Sequence, residues 1–231
     1  RSAPDKPIII VENATVRFGS NTVLQNVSFQ VRRGEILVIV GESGCGKTTL
    51  LKVMISLQKT NAGKVLFGAT DIMAAGEQEL NGFLQNIGVL FQSSALFSSM
   101  TIQENIALPL QEYTTLDAAT IDLIVKMKLG MVNLAGYENH YPAELSGGMK
   151  KRAGIARAMA LDPQVLFFDE LSAGLDPITA AELDDLIIKT NGALGTTMVV
   201  VSHELQSICK IADRVIMLDK YSKGIIAEGT P

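Results

Sequence analysis

The sequence predicts an α/β fold in which a phosphate-binding loop follows a buried strand. The apolar run at residues 36–40 leads into a glycine-rich segment, and that segment opens into a helical pattern at residues 46–57. Strand, loop and helix in this order are the context that a phosphate-binding loop requires. Further along the chain, short apolar runs alternate with helical segments, which is typical of a parallel sheet with crossover helices.

The glycine-rich segment supplies the groups that bind the phosphates of a nucleotide. Glycines allow backbone conformations that turn successive N–H groups onto phosphate oxygens at a helix N-terminus. Lys47 adds a positive charge for the β- and γ-phosphates, and the hydroxyl of Thr48 suits Mg²⁺. The predicted nucleotide-binding residues of this loop are Gly41, Glu42, Ser43, Gly44, Cys45, Gly46, Lys47, Thr48 and Thr49.

The order of predicted strands and helices indicates one domain over residues 1–231, with a β subdomain and a helical subdomain attached to its core. An N-terminal β subdomain is predicted from apolar and β-branched runs at residues 8–18, 27–31 and 36–40. Strand patterns are missing from residues 93–160, where helical periodicity predicts an inserted helical subdomain. Three later apolar runs predict the remaining parallel strands, at residues 165–168, 197–201 and 215–218.

Several short motifs follow the loop in a fixed order. The sequence Leu-Ser-Gly-Gly-Met begins at Leu145, the pair Asp169-Glu170 ends an apolar run, and His203 follows another. Together with the loop, these motifs resemble the ATP-binding cassette (ABC) ATPase family over essentially the whole chain. The resemblance implies a P-loop NTPase fold with a RecA-like parallel-sheet core, an N-terminal antiparallel β subdomain and an inserted helical subdomain. It also implies ATP and Mg²⁺ as cofactors.

The resemblance assigns catalytic and metal-binding roles. Glu170 is the expected general base, and His203 and Gln92 are expected to act beside it at the γ-phosphate. Asp169, Thr48 and Gln92 are the expected Mg²⁺ ligands, directly or through water. From the residues alone, the acidic pair could merely end a strand and the histidine could be structural.

The resemblance also implies nucleotide contacts outside the loop. Phe18 occupies the place of an adenine-stacking aromatic, with core packing as the alternative. Ser146, Gly147 and Gly148 begin a helix and are expected to bind the γ-phosphate of a nucleotide held by the opposite protomer, whereas the tetrapeptide alone also fits ordinary helix capping. Asp176 is expected to reach across the same dimer. Each complete site therefore needs two chains.

Composition limits the choice of partners. The net charge is -4, which gives no global basic surface for nucleic acid. The longest apolar runs are far below the ~18 residues of a membrane span, so the chain is not expected to cross a membrane itself. The resemblance implies a homodimer that binds an integral membrane permease subunit. It places the homodimer in the cytoplasm, peripheral on the cytoplasmic face of the inner membrane.

Residues 149–153 and 171–179 are similar to the ATPase subunits of Mla/Mce-type systems, which move phospholipids or other lipids through a bacterial envelope. That similarity adds an Mce-domain protein to the expected partners. Two alternatives stay open. One is the ATPase of a small polar solute importer, for an amino acid or a quaternary amine. The other is a soluble, non-transport ABC ATPase that acts on DNA or ribosomes.

Three local features allow two interpretations each. The thiol of Cys45, near a helix N-terminus and a lysine, is either reactive or simply small and shielded. The basic run 150–152 is typical of a solvated helix face rather than a nucleic-acid patch. Leu96, Phe97 and Met100 stand among serines, so they form either an exposed patch for a permease helix or part of the helical core.

Overall fold

The computed structural model describes residues 6–231, so residues 1–5 of the predicted domain lie outside the described residues. Within that range the strands are β1 (Pro7–Phe18), β2 (Asn21–Arg32), β3 (Ile36–Gly41), β4 (Ala62–Phe67), β5 (Thr70–Asp71), β6 (Ile87–Leu90), β7 (Val165–Asp169), β8 (Thr197–Val201), β9 (Arg214–Leu218) and β10 (Ile225–Gly229). The α-helices are α1 (Lys47–Met54), α2 (Glu77–Gln85), α3 (Ile102–Tyr113), α4 (Ala118–Met131), α5 (Gly147–Ala158), α6 (Pro177–Leu194) and α7 (Leu205–Ile211).

A small antiparallel sheet forms the N-terminal part of the fold, with the strand order β2-β1-β4-β5. In the second half of β2, the buried residues Val27, Phe29 and Val31 alternate with exposed ones. This period of two gives the strand one face toward the core and one toward solvent. The predicted antiparallel β subdomain is thereby confirmed, and β4 and β5 extend it.

A larger sheet forms the centre of the fold, in the order β10-β9-β3-β8-β7-β6. The strands from β9 to β6 pair in parallel, and β10 adds an antiparallel edge. Every residue of β7 and β8 is buried, as expected for a parallel sheet covered on both faces. Strand β3, which the sequence grouped with the N-terminal strands, belongs to this sheet, because its continuous apolar run suits burial on both faces.

Alternate residues of the central strands face two different cores. Phe167 of β7 packs with the antiparallel sheet and α1, whereas Leu166 and Phe168 pack with the helices on the other side. The fold therefore has three layers, with the parallel sheet in the middle. This arrangement confirms the predicted α/β class.

Only helices occur between β6 and β7 in the described chain, which confirms the inserted helical subdomain. Thr101 begins α3 with a capping box: its hydroxyl accepts from the Glu104 N–H at 3.2 Å, and its own N–H donates to the Glu104 carboxylate at 2.7 Å. Ile106, Val125 and Leu129 are fully buried where α3 and α4 pack together.

Helix α5 lies unusually close to β6. A Cβ on Gly88 would lie only 2.0 Å from the backbone oxygen of Ala158. Any side chain here would therefore push the last turn of α5 away from the sheet. Since α5 belongs to the inserted subdomain and β6 to the core, this contact fixes the two parts relative to each other.

We expect Gly88→Ala to lower the free energy of unfolding by ~2 kcal/mol, because the backbone of α5 must move to admit a methyl group. The matched control is Gly82→Ala in α2, where a Cβ meets nothing within 4 Å. That change should leave stability unchanged or raise it by up to ~1 kcal/mol, since alanine is the better helix former. Urea unfolding followed by circular dichroism measures both. Equal effects would contradict the close approach.

Candidate active site

The carboxyl edge of the parallel sheet opens into a cavity of 640 Å³. This volume lies within the roughly 300–1,000 Å³ of typical small-molecule sites. All the predicted loop residues except Cys45 line it, and Glu170 and His203 line it from the neighbouring strands. Val23, which the sequence did not indicate, contributes from β2. The cavity therefore joins the phosphate-binding loop to Glu170 and His203.

The loop backbone is held open toward this cavity. Gly44 has φ +79° and nothing within 4 Å of a Cβ position, so its backbone is accessible to a ligand. Gly46 caps α1 with φ +104°, where a Cβ would lie 2.8 Å from the side chain of Leu24. The ammonium of Lys47 donates to the carbonyl oxygens of Gly41 at 2.7 Å and Glu42 at 3.0 Å. A helix N-terminus and a lysine thus face the same space, which suits a polyphosphate.

A hydroxyl and a carboxylate meet beside the loop. The Thr48 hydroxyl donates to the Asp169 carboxylate at 3.3 Å, joining α1 to the end of β7. Burial raises the pKa of Asp169, and the hydrogen bond from Thr48 opposes that effect. Among the described residues, no group of three or more His, Cys, Asp or Glu could hold a metal. The hydroxyl and carboxylate oxygens fit a cation such as Mg²⁺, because that ion takes one or two protein ligands and keeps waters and phosphates for the rest.

Glu170 and His203 lie side by side because β7 and β8 are paired neighbours. Their facing atoms, Glu170 Oε1 and His203 Nδ1, are 3.5 Å apart. The Glu170 N–H donates to the Val201 carbonyl at 3.0 Å, which fixes the turn after β7. Glu170 adopts φ +49°, a left-handed conformation that is uncommon for a residue with a side chain. The arrangement gives a carboxylate, and an imidazole beside it, at the mouth of the phosphate loop.

Phe18 and Gln92 are among the predicted site residues that do not line the cavity. Phe18 ends β1 with 52% of its surface exposed, so it is not a core residue. Gln92 follows β6 at the same sheet edge as the acidic pair, and it is exposed. Both side chains are accessible to a ligand.

The Leu-Ser-Gly-Gly-Met motif that begins at Leu145 and the residue Asp176 lie together, apart from the loop cavity. The Ser146 hydroxyl caps α5 by accepting from the Met149 N–H at 3.3 Å. Asp176 caps α6, where a hydrogen bond from the Thr179 hydroxyl lowers the pKa of its carboxyl group. The two helix starts touch, since a Cβ on Gly148 would lie 2.4 Å from the methyl group of Thr179. None of these residues lines the loop cavity of the same chain.

Comparison with known proteins identifies the family. Residues 24–173 match the family model of ABC transporters. The chain belongs to the ABC transporter family. MlaF of Haemophilus influenzae, an intermembrane phospholipid transport system ATP-binding protein, is 41% identical over 223 residues, covering 96% of this chain and 84% of MlaF.

Two further relatives extend the comparison. The Mycobacterium leprae protein mkl, named a probable ribonucleotide transport ATP-binding protein, is 40% identical over 210 residues, covering 91% of this chain and 60% of mkl. A dimeric structure of the ATP-binding cassette MJ0796, in a post-hydrolysis state bound to ADP and Pi, superimposes with a TM-score of 0.86 at 29% identity. That match covers 96% of this chain and 98% of the other.

Family membership gives the activity. As an ABC cassette, the protein binds ATP and hydrolyses it to ADP and phosphate for a transport system. Within residues 6–231, no helix combines the length and the apolar character needed to cross a membrane.

The structure decides one open question about a side chain and corrects one expectation. Cys45 is only 2% exposed and packs in the core beneath the loop, which contradicts the accessible-thiol interpretation and supports the shielded one. Lys151 is 5% exposed, so the expectation that the whole basic run is a solvated face is wrong for this residue. A glycine one turn later, at Gly154, was the available signal that this face of α5 is closely packed.

We expect Cys45 to resist alkylation whether or not nucleotide is present, because its thiol is buried. The exposed Cys209 is the internal control and should react at least about tenfold faster, since reactivity requires access to the thiolate. Peptide mass mapping after brief treatment with iodoacetamide measures both rates. Rapid labelling of Cys45 that Mg-ATP suppresses would contradict this prediction.

Proposed function

We propose that this protein is the ATP-hydrolysing subunit of a bacterial transporter that moves phospholipids or other lipids through the envelope. The observation that carries the enzymatic part is the convergence of Lys47, Thr48, Glu170 and His203 on one cavity, with Asp169 hydrogen-bonded to Thr48 beside it. The lipid part is supported by the 41% identity to MlaF over 96% of this chain. A small polar solute importer is not favoured by that similarity.

The roles follow from the chemistry of γ-phosphate transfer to water. The loop N–H groups and Lys47 bind the phosphates, and Glu170 accepts a proton from the attacking water. His203 donates to the γ-phosphate and holds Glu170 in place. Thr48, Asp169 and Gln92 would hold Mg²⁺, which neutralises charge on the phosphate oxygens when bound.

The remaining residues suit a site shared by two protomers. The surface of Ser146, Gly147, Gly148 and Asp176 lies apart from the loop cavity, so it is free to meet the nucleotide of a second copy. At the start of α5, Ser146 and Gly147 are exposed and Gly148 is buried, and the N–H groups of a helix N-terminus suit the γ-phosphate. Phe18 is exposed and available to stack on adenine. The dimeric form of MJ0796 supports the same assembly.

Glu170→Gln should retain ATP binding while kcat falls about 100-fold or more, because the general base is lost. Unhydrolysed ATP should then hold two chains together, since a ligand that binds only the dimer stabilises it. Turnover assays and light scattering with and without ATP measure the two effects.

The matched control is Lys47→Ala. It should weaken ATP binding by roughly 10-fold to 100-fold, because a charged hydrogen-bond donor is removed from the phosphates. ATP should not trap its dimer. A Glu170→Gln protein that is fully active and stays monomeric with ATP would falsify the assignment of Glu170.

The membrane partner is proposed to dock in a groove between β6 and α3. The groove has a volume of 400 Å³ and is lined by apolar residues that include Phe91, Phe97 and Leu108. Phe97 is 50% exposed and lies 5.8 Å from the Arg157 guanidinium, whereas Leu96 packs against the helical core. Phe97 therefore suits an anchor for a short permease helix, which would place the protein on the cytoplasmic face of the inner membrane.

Phe97→Ala should weaken copurification with the permease by about 30-fold, because truncating an interface anchor costs ~2 kcal/mol. Its thermal stability and isolated ATPase rate should change little. The matched control is Ile226→Ala, which alters a side chain of similar exposure, 54%, on the opposite edge strand β10. If Phe97→Ala melts much lower while the folded fraction assembles normally, Phe97 is part of the core.

Identifying the copurified membrane proteins tests the lipid assignment. We expect a permease together with an Mce-domain protein, and phospholipid bound to that complex. A permease that instead copurifies with a binding protein for a polar solute, such as a ribonucleotide, would contradict it.

A further inference from the structure

Lys151 is a buried lysine in the second turn of α5 that reaches the backbone of two site residues. Its ammonium donates a hydrogen bond to the carbonyl oxygen of Gln92 and lies 3.5 Å from the carbonyl oxygen of Glu170. A buried ammonium is costly unless its hydrogen bonds are satisfied. These two carbonyl groups accept hydrogen bonds from the ammonium, so Lys151 joins the chain after β6 to the turn after β7.

The same face of α5 holds the rest of the Gln92 loop, defined as residues 92–95. One turn after Lys151, a Cβ on Gly154 would lie 2.4 Å from the side chain of Leu90, just before this loop. One turn further, the Arg157 guanidinium donates to the carbonyl oxygens of Ser94 at 3.0 Å and Ala95 at 2.8 Å. Residues 151, 154 and 157 are three positions apart, so they lie on one face of the helix, and the loop packs along that face.

The charge of Lys151 acts on the site as well. Burial lowers the pKa of Lys151, and the carboxylates of Asp169 and Glu170 oppose that shift by favouring the ammonium. The lysine therefore places a positive charge behind the acidic pair. Lys151 does not line the loop cavity, so its action on the reaction is indirect.

We propose that Lys151 is a positioning residue for ATP hydrolysis, which ties the backbone of Gln92 and Glu170 to helix α5. This rests on the proposed roles of Gln92 and Glu170. Ser146 caps the start of α5, on the surface proposed to bind the second protomer's nucleotide. Lys151 thus links the hydrolytic groups of one site to the helix whose start is proposed to bind the nucleotide of the other.

The test compares Lys151→Met with Lys151→Arg. The methionine variant keeps the side chain up to Cε without a donor or charge, so kcat should fall about 10- to 100-fold because the hydrolytic groups lose their alignment. KM and ATP affinity should stay within about twofold, since the phosphate loop is untouched. The arginine variant restores donors and charge, and it should recover most of kcat.

The matched control is Lys128→Met, which removes another buried lysine, 3% exposed, that pairs with Asp162 away from the site. It should lose stability but keep kcat per folded molecule. Hydrogen exchange gives a second readout. Peptides covering residues 91–95 and 169–173 should exchange faster in Lys151→Met but not in Lys128→Met.

The inference is overturned if Lys151→Met keeps its kcat, or if its KM rises as much as its kcat falls. It is also overturned if Lys128→Met loses kcat equally. If Lys151→Met does not fold, Lys151→Gln keeps a donor but shortens the reach, and the same loss of kcat is expected. A fully active Glu170→Gln protein would instead refute the proposed function, so the two failures are distinguishable.

Discussion

Parallel pairing of β3, β8 and β7 is the constraint on which the candidate site depends. In parallel strands the carboxyl ends meet at one edge, so residues far apart in the chain become neighbours. Gly41 leaves β3, His203 follows β8, and Glu170 follows β7 at that edge. No local interaction in the sequence brings these groups together. The buried apolar faces of the strands set the register of the sheet, and that register sets the distances between the site side chains.

Helix α5 is the second element that the site requires. It packs on β6 at Gly88, fastens residues 92–95 along one face, and presents Ser146 at its exposed start. One rigid helix thereby contacts the core sheet, the loop after β6 and the surface proposed for the second protomer. Interiors packed this closely transmit a shift of one element to its neighbours. A shift of the inserted subdomain would therefore move the site residues that pack on α5.

Motif order and local periodicity predicted most of the fold, including the phosphate loop, the helical insert and the bounds of β8. These patterns failed where tertiary packing determines whether a segment forms a strand or a side chain is buried. Strands β4, β5 and β10 and helix α2 were missed. Strand β4, for example, is short and half of it is exposed, so it carries no continuous apolar run. Strand β3 was assigned to the wrong sheet, since a continuous apolar run does not say which partner covers it. Lys151 looked like a surface residue because charge predicts exposure, and only the carbonyl groups around it explain its burial.

The left-handed backbone of Glu170 has a consequence for how this position can vary. A residue with a side chain pays roughly 1–2 kcal/mol to hold that conformation, and glycine pays almost nothing. Replacement by glycine would therefore relieve the backbone while deleting the carboxylate. Selection for stability and selection for turnover pull in opposite directions at this one residue, the pattern of a stability–activity trade-off. Selection for thermal stability alone would therefore favour glycine at position 170, and with it the loss of ATP hydrolysis.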